Sequence, residues 1–120
     1  MFNEKIVDLA KSNSNFRQVL KTGKNSQVVV MSIPAGGEIG METHDTVDQI
    51  LVFVEGEGKA ILGTEESVVG PEMLTYVLAG TKHNFINTGA GDLKLYTIYS
   101  PPQHADGTIH KTKEEADAAE

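Results

Sequence analysis

Short apolar runs recur along this chain, and glycine-bearing turns separate them. From Asn15 to Tyr99 the runs are rich in Val, Ile, Leu, Phe and Tyr. The breaks fall at Pro34-Ala35-Gly36-Gly37, Gly56-Glu57-Gly58, Gly63-Thr64, Gly70-Pro71, Ala79-Gly80 and Gly89-Ala90-Gly91-Asp92. Turn signals at this close, regular spacing predict strands. Strands are expected at about 16–20, 26–33, 38–44, 49–55, 58–62, 67–70, 73–77, 83–87 and 93–99. No helical period interrupts them, so the middle of the chain reads as an all-β sandwich or barrel.

The two ends have a different texture. Phe2, Ile6 and Leu9 recur at helical spacing and predict a short helix over 3–10. Pro101-Pro102 closes the last strand, because proline has no N–H to give a ladder. Residues 103–110 read as a loop. Thr112-Lys113-Glu114-Glu115 has the spacing of a capping box and predicts a helix over 112–119.

Composition narrows the functional classes. The 120 residues suit a single domain over 1–120, with a barrel core at about 15–100 and a C-terminal loop and helix over 101–120. The 39% apolar content is enough for a core without disulfides. Cysteine is absent, which removes thiolate metal sites and cysteine nucleophiles and agrees with a reducing compartment. The N-terminus lacks the apolar stretch of a secretory signal, and no run reaches the roughly 20 residues that span a bilayer. A cytoplasmic location and no membrane partner are the expectations. Net charge is −7, and Arg17, Lys21, Lys24, Lys59, Lys82 and Lys94 are scattered, which argues against nucleic-acid binding.

The chemistry lies with four histidines and their neighbours. Glu42 and His44 are two residues apart, so in a strand both face the same way. Gln49 comes early in the next strand, and His83 opens another. Inward side chains of adjacent strands converge in a closed barrel, so Glu42, His44, Gln49 and His83 can meet in one cavity. Alternation places Leu51 and Phe53 with Gln49, and Phe85 and Asn87 with His83, which makes an apolar cup with a polar floor. In the last strand Leu95, Thr97 and Tyr99 share one face, and Lys94, Tyr96 and Ile98 share the other. Tyr96 and Tyr99 are therefore alternative pocket residues.

The spacing resembles that of the cupin superfamily. Its first motif runs Gly, five residues, His-x-His, three or four residues, Glu, six residues, Gly. Gly36, His44 and Gly56 fall in register with it. The second motif runs Gly, five residues, Pro-x-Gly, two residues, His, three residues, Asn, and Gly80, His83 and Asn87 fall in register. The chain departs from the motifs at Glu42, Gln49, Glu72 and Leu78, which replace the first His, the Glu, the first Gly and the Pro. The resemblance covers about residues 26–99 and is nearest to small bacterial cupins described as mannose-6-phosphate isomerase-like.

That resemblance implies a cupin double-stranded β-helix, a jelly-roll barrel, with short N- and C-terminal helical segments. It also implies one divalent metal ion per chain on Glu42, His44, Gln49 and His83. Two nitrogens and two oxygens favour Mn or Fe, with Zn or Ni as alternatives. A homodimer is expected by analogy, with the segment before Asn15 in its contact. The run from Tyr99 to Thr112 is expected to cross the barrel mouth and offer His104 or His110 for proton transfer, with a tyrosine as the other choice. The expected partner is a small-molecule ligand in the barrel. Three functions fit: a metal-dependent isomerase, epimerase or lyase on a small sugar or oxygenated carbonyl compound; a non-haem iron dioxygenase; or a non-catalytic binding module. A sugar phosphate is disfavoured, because none of the inward positions assigned so far carries Arg or Lys.

Overall fold

The computed structural model describes residues 1–119. Helix α1 (Ile6–Ser12) leads into strands β1 (Arg17–Thr22), β2 (Gln27–Ile33), β3 (Asp48–Glu55), β4 (Gly58–Leu62), β5 (Glu65–Val69), β6 (Leu74–Val77), β7 (His83–Asn87), β8 (Leu93–Ser100) and β9 (Ile109–His110), and helix α2 (Lys113–Ala118) follows. The strands form two sheets, ordered β6-β3-β8-β2-β1-β9 and β5-β4-β7, and their pairings are antiparallel. This is the double-stranded β-helix expected from the sequence.

The core lies between the sheets. Leu51 and Phe53 of β3 and Leu93 and Leu95 of β8 meet Ala60 of β4 and Phe85 of β7. The Phe53 and Phe85 rings sit 5.8 Å apart and join the two layers. Each such ring, fully buried, contributes on the order of 2–3 kcal/mol of hydrophobic stabilisation. A second, smaller cluster lies outside the barrel. There Ala10 of α1 packs with Val30 and Val54, backed by Ile6, Leu20 and Tyr96. Lys94 Nζ fastens α1 by donating to the carbonyls of Lys11 and Asn13 at 2.9 and 2.8 Å. The apolar side of the N-terminal segment is thus used within its own chain.

Covered on both faces, β2 and β8 lose strict alternation. That is why the faces of β8 could not be told apart beforehand. Here Leu95, Thr97 and Tyr99 point into the barrel, and Tyr96 points out toward α1.

Three expectations are corrected. Residues 38–44 are not a strand; they make two isolated bridges to β7, Glu38 with Ile86 and Glu42 with His83. The register slips by one between these bridges, where Gly40 takes φ +107 and its N–H turns to the Asn84 side chain at 2.9 Å. The stretch 103–110 does not stay a loop, since Ile109 and His110 pair with Gln18 and Arg17 of β1. The N-terminal helix begins at Ile6 rather than at residue 3. At the other end Thr112 caps α2 by accepting from the Glu115 N–H, as the capping-box spacing implied.

Candidate metal centre

The bridge between Glu42 and His83 is where the site begins. Each N–H donates to the other's carbonyl at 2.9 Å, so the two side chains start from directly opposed positions on facing segments. His44 follows two residues after Glu42, and its carbonyl accepts from the Gly80 N–H at 2.8 Å. These backbone bonds hold both cupin-like segments together at the end of the barrel.

The ligand atoms of Glu42, His44 and His83 all lie within 4.8 Å of one another. His44 Nε2 is 3.4 Å and His83 Nε2 is 3.8 Å from Glu42 Oε1. A first-row ion with bonds of roughly 2.0–2.2 Å spaces neighbouring ligand atoms by roughly 3–3.6 Å, so the cluster is close to the size such an ion needs. Hydrogen bonding also favours a metal. His83 Nδ1 lies 2.8 Å from the Thr81 carbonyl, which requires the proton on Nδ1 and leaves the Nε2 lone pair free. Gln49, on the inward face of β3, donates from Nε2 to Thr97 Oγ1 at 3.1 Å, which fixes its amide with Oε1 as the open acceptor.

Among the described residues five buried side-chain atoms lack a hydrogen-bond partner: Arg17 Nε, His44 Nε2, Gln49 Oε1, His83 Nε2 and His104 Nε2. Buried polar atoms of this kind are normally satisfied. Three of them belong to the metal ligands expected from the sequence. The residues present therefore fit a divalent cation.

The electrostatics are consistent. Burial alone would raise the Glu42 pKa, but the neighbouring His44, His83 and Arg17 side chains outweigh it and hold the carboxyl below its usual range. Glu42 is thus anionic near neutral pH, as a carboxylate able to hold a cation must be. Burial pushes the Tyr99 phenol up to about 12, so it keeps its proton. Burial, assisted by Arg17, lowers His104 to about 4, so it is neutral near pH 7.

The remaining sequence candidates separate. Tyr99 is 1% exposed, and its ring lies 6.2 Å from that of His44 and 5.1 Å from that of His104. Tyr96 lies behind the sheet with α1, away from the cavity. His104 is held over Tyr99 by Gln27, whose Oε1 accepts from the His104 N–H at 3.0 Å and whose Nε2 donates to the His104 carbonyl at 2.7 Å. His110 sits on β9, with Nδ1 3.4 Å from Arg17 Nη1.

Arg17 itself was missed as a site residue: it adds a buried basic group to the inward positions assigned from the sequence, none of which carries one. The available signal was its position two residues before Val19 on an alternating strand, where an inward side chain is due. Another cavity of about 330 Å³, lined by Phe16, Pro34, Asp92 and Lys111, holds none of these donors.

Comparison with known proteins gives the same picture. The family model described as "Cupin domain" matches residues 29–99. The chain is 46% identical over 116 residues to the uncharacterized protein YrkC of Bacillus subtilis (strain 168), covering 92% of this chain and 62% of that protein. It is 37% identical over 101 residues to the uncharacterized protein L612 of Acanthamoeba polyphaga mimivirus, covering 81% and 63%. It thus spans less than two thirds of the length of the curated relatives it matches. The crystal structure of BH2720 from Bacillus halodurans superposes with a TM-score of 0.97 at 43% identity, covering 98% of this chain and 93% of that one.

Proposed function

This chain belongs to the cupin domain family, and from that premise we propose that it is a divalent-metal-dependent enzyme acting on a small oxygenated carbonyl compound. The observation that carries the reading is the convergence of Glu42, His44 and His83 with unpartnered imidazole nitrogens aimed at a carboxylate. Gln49 is the fourth ligand in this proposal. The mixed nitrogen and oxygen set favours Mn²⁺ or Fe²⁺.

A bound ion supplies Lewis-acid polarisation of a carbonyl or hydroxyl oxygen. The chain supplies the rest. Tyr99 remains a phenol, suited to donate a hydrogen bond to a developing oxyanion. Neutral His104, with a free Nε2 beside Tyr99, is suited to accept a proton. Leu51, Phe53 and Phe85 wall the interior against water. Isomerisation, epimerisation and lyase chemistry each need such a proton transfer next to a polarised oxygen.

The test is proton exchange in D₂O, followed by ¹H NMR on the Mn²⁺- or Fe²⁺-loaded protein with small sugars and with hydroxy and keto acids. Metal-dependent loss of a signal α to a carbonyl is expected, and its reduction in His104→Gln would assign the base. Oxygen uptake without exchange would move the reading to an iron dioxygenase. Neither exchange nor uptake would leave a binding module.

The homodimer is also proposed. Leu74 and Tyr76 of the edge strand β6 and Leu78 just past its end are 58%, 49% and 63% exposed, an apolar row suited to a second copy. Sedimentation velocity should give about twice the 12.9 kDa chain mass. A single-chain mass at micromolar concentration would refute the dimer.

A further inference from the structure

Arg17 is the only arginine in the chain, and it is 6% exposed. Its guanidinium stacks 5.3 Å from the centre of the Phe16 ring. Nη1 is 3.4 Å from His110 Nδ1, and Nε has no partner. Among the described residues no carboxylate lies within salt-bridge distance of it. A buried guanidinium without a counter-ion is expensive, because desolvation of the charge is not offset. Nearby Glu42 is engaged with His44 and His83.

Arg17 also lines two adjoining cavities. One, of about 150 Å³, runs to Glu42 past Ile39 and Met41. The other, of about 320 Å³, runs to His104 and His110. The side chain therefore stands between the metal ligands and the histidine held over Tyr99. With neutral imidazoles and a divalent ion on Glu42, the enclosed site would carry about two uncompensated positive charges, which calls for an anionic ligand.

We propose that Arg17 anchors the carboxylate of a small hydroxy or keto acid, a substrate class that rests on the metal-dependent reading above. The guanidinium fork matches the two oxygens of one carboxylate. A phosphate dianion would call on a second cation. Lys113, the other cation on the wall of the smaller cavity, is already committed to Asp117 at 2.7 Å. The cavity sizes suit acids of a few carbons. In this arrangement one end of the acid lies on Arg17, its second oxygen function faces Glu42, His44 and His83, and His104 Nε2 flanks the carbon between.

The test is calorimetric titration of the Mn²⁺-loaded chain with a panel of two- to four-carbon hydroxy and keto acids, including glycolate and pyruvate. Their uncharged amides and inorganic phosphate serve as controls, and manganese content is measured in parallel. At least one acid is expected to bind at least tenfold more tightly than its amide. Arg17→Gln should weaken that acid at least tenfold with manganese content unchanged. Arg17→Lys, which keeps the charge but not the fork, guards against a misfolded Gln variant and should bind several-fold more weakly than wild type.

Equal binding of the acid by wild type and Arg17→Gln would overturn the proposal. So would tighter binding of phosphate than of every acid, loss of manganese with Arg17→Gln, or no acid binding at all. If the wild-type chain holds neither manganese nor iron, the metal-dependent reading fails by itself. The anchor is then upheld by Arg17-dependent acid binding to the metal-free chain and overturned by its absence.

Discussion

In His83→Ala, metal content should fall from about one divalent ion per chain to under roughly a tenth of that, while the fold persists. The bridge that positions this ligand uses main-chain atoms, Glu42 N–H to His83 carbonyl and the reverse, so the substitution leaves both bonds in place. What disappears is the imidazole whose tautomer Thr81 sets. Loss of an outer-shell partner of a metal ligand typically costs about 10–100-fold in affinity, and loss of the ligand itself should exceed that. The change also has a thermal signature. A ligand present at about 100 times its Kd stabilises a fold by roughly 2.7 kcal/mol, so added Mn²⁺ should raise the wild-type melting temperature by several degrees and leave that of His83→Ala unmoved. Plasma mass spectrometry on protein purified without chelator, beside a melting series with added metal, checks both parts. A variant that keeps a full complement of metal would remove His83 from the site.

Gly56→Ala should cost roughly 3–4 kcal/mol in urea denaturation, a large part of the stability of a domain this size. Two effects combine. Gly56 has φ +91, which an L side chain rarely adopts. An added Cβ would also overlap the Asp92 carbonyl oxygen and stand 2.9 Å from Leu93 Cα, both main-chain atoms that cannot swing aside. Relief requires moving the start of β8, whose Leu93 and Leu95 sit in the core. Gly63→Ala is the matched control, because φ is +61 there and nothing lies within 4 Å of its Cβ. Backbone conformation alone should cost that variant about 1 kcal/mol. Similar losses in both variants would mean the close approach at Gly56 is relieved cheaply. The motif position has a steric reason: this glycine lets the β3–β4 turn lie against the strand that carries Thr97 and Tyr99.

Much of the barrel was legible from the sequence because its strands are short, apolar and bounded by glycine turns. Glu42, His44 and His83 were legible because their motif spacing is set by register, two residues along a segment and one bridge across. Residues 38–44 misled because their composition is strand-like. The decisive feature is the turned backbone at Gly40, which hands its N–H to Asn84. The two residues of β9 are too few to show a period. Tyr96 and Tyr99 could not be ranked because β8 is covered on both faces, and only the docking of α1 separates them. The placement of His104 depends on Gln27, a side chain holding the main chain of a residue 77 positions away, and no local pattern records such a bond. Arg17 was hidden for the opposite reason. A charged residue on an alternating strand is ordinarily assigned to the solvent face, and its burial shows only once β9 and α2 close over the mouth of the barrel.

The most direct test of the proposed metal centre is anomalous diffraction from crystals of the Mn²⁺-loaded protein. The prediction is one peak per chain at about 2.0–2.3 Å from Glu42 Oε1, His44 Nε2 and His83 Nε2, with Gln49 Oε1 as the fourth protein contact. A saturated crystal with no peak among these residues, or with its manganese elsewhere on the chain, would contradict it.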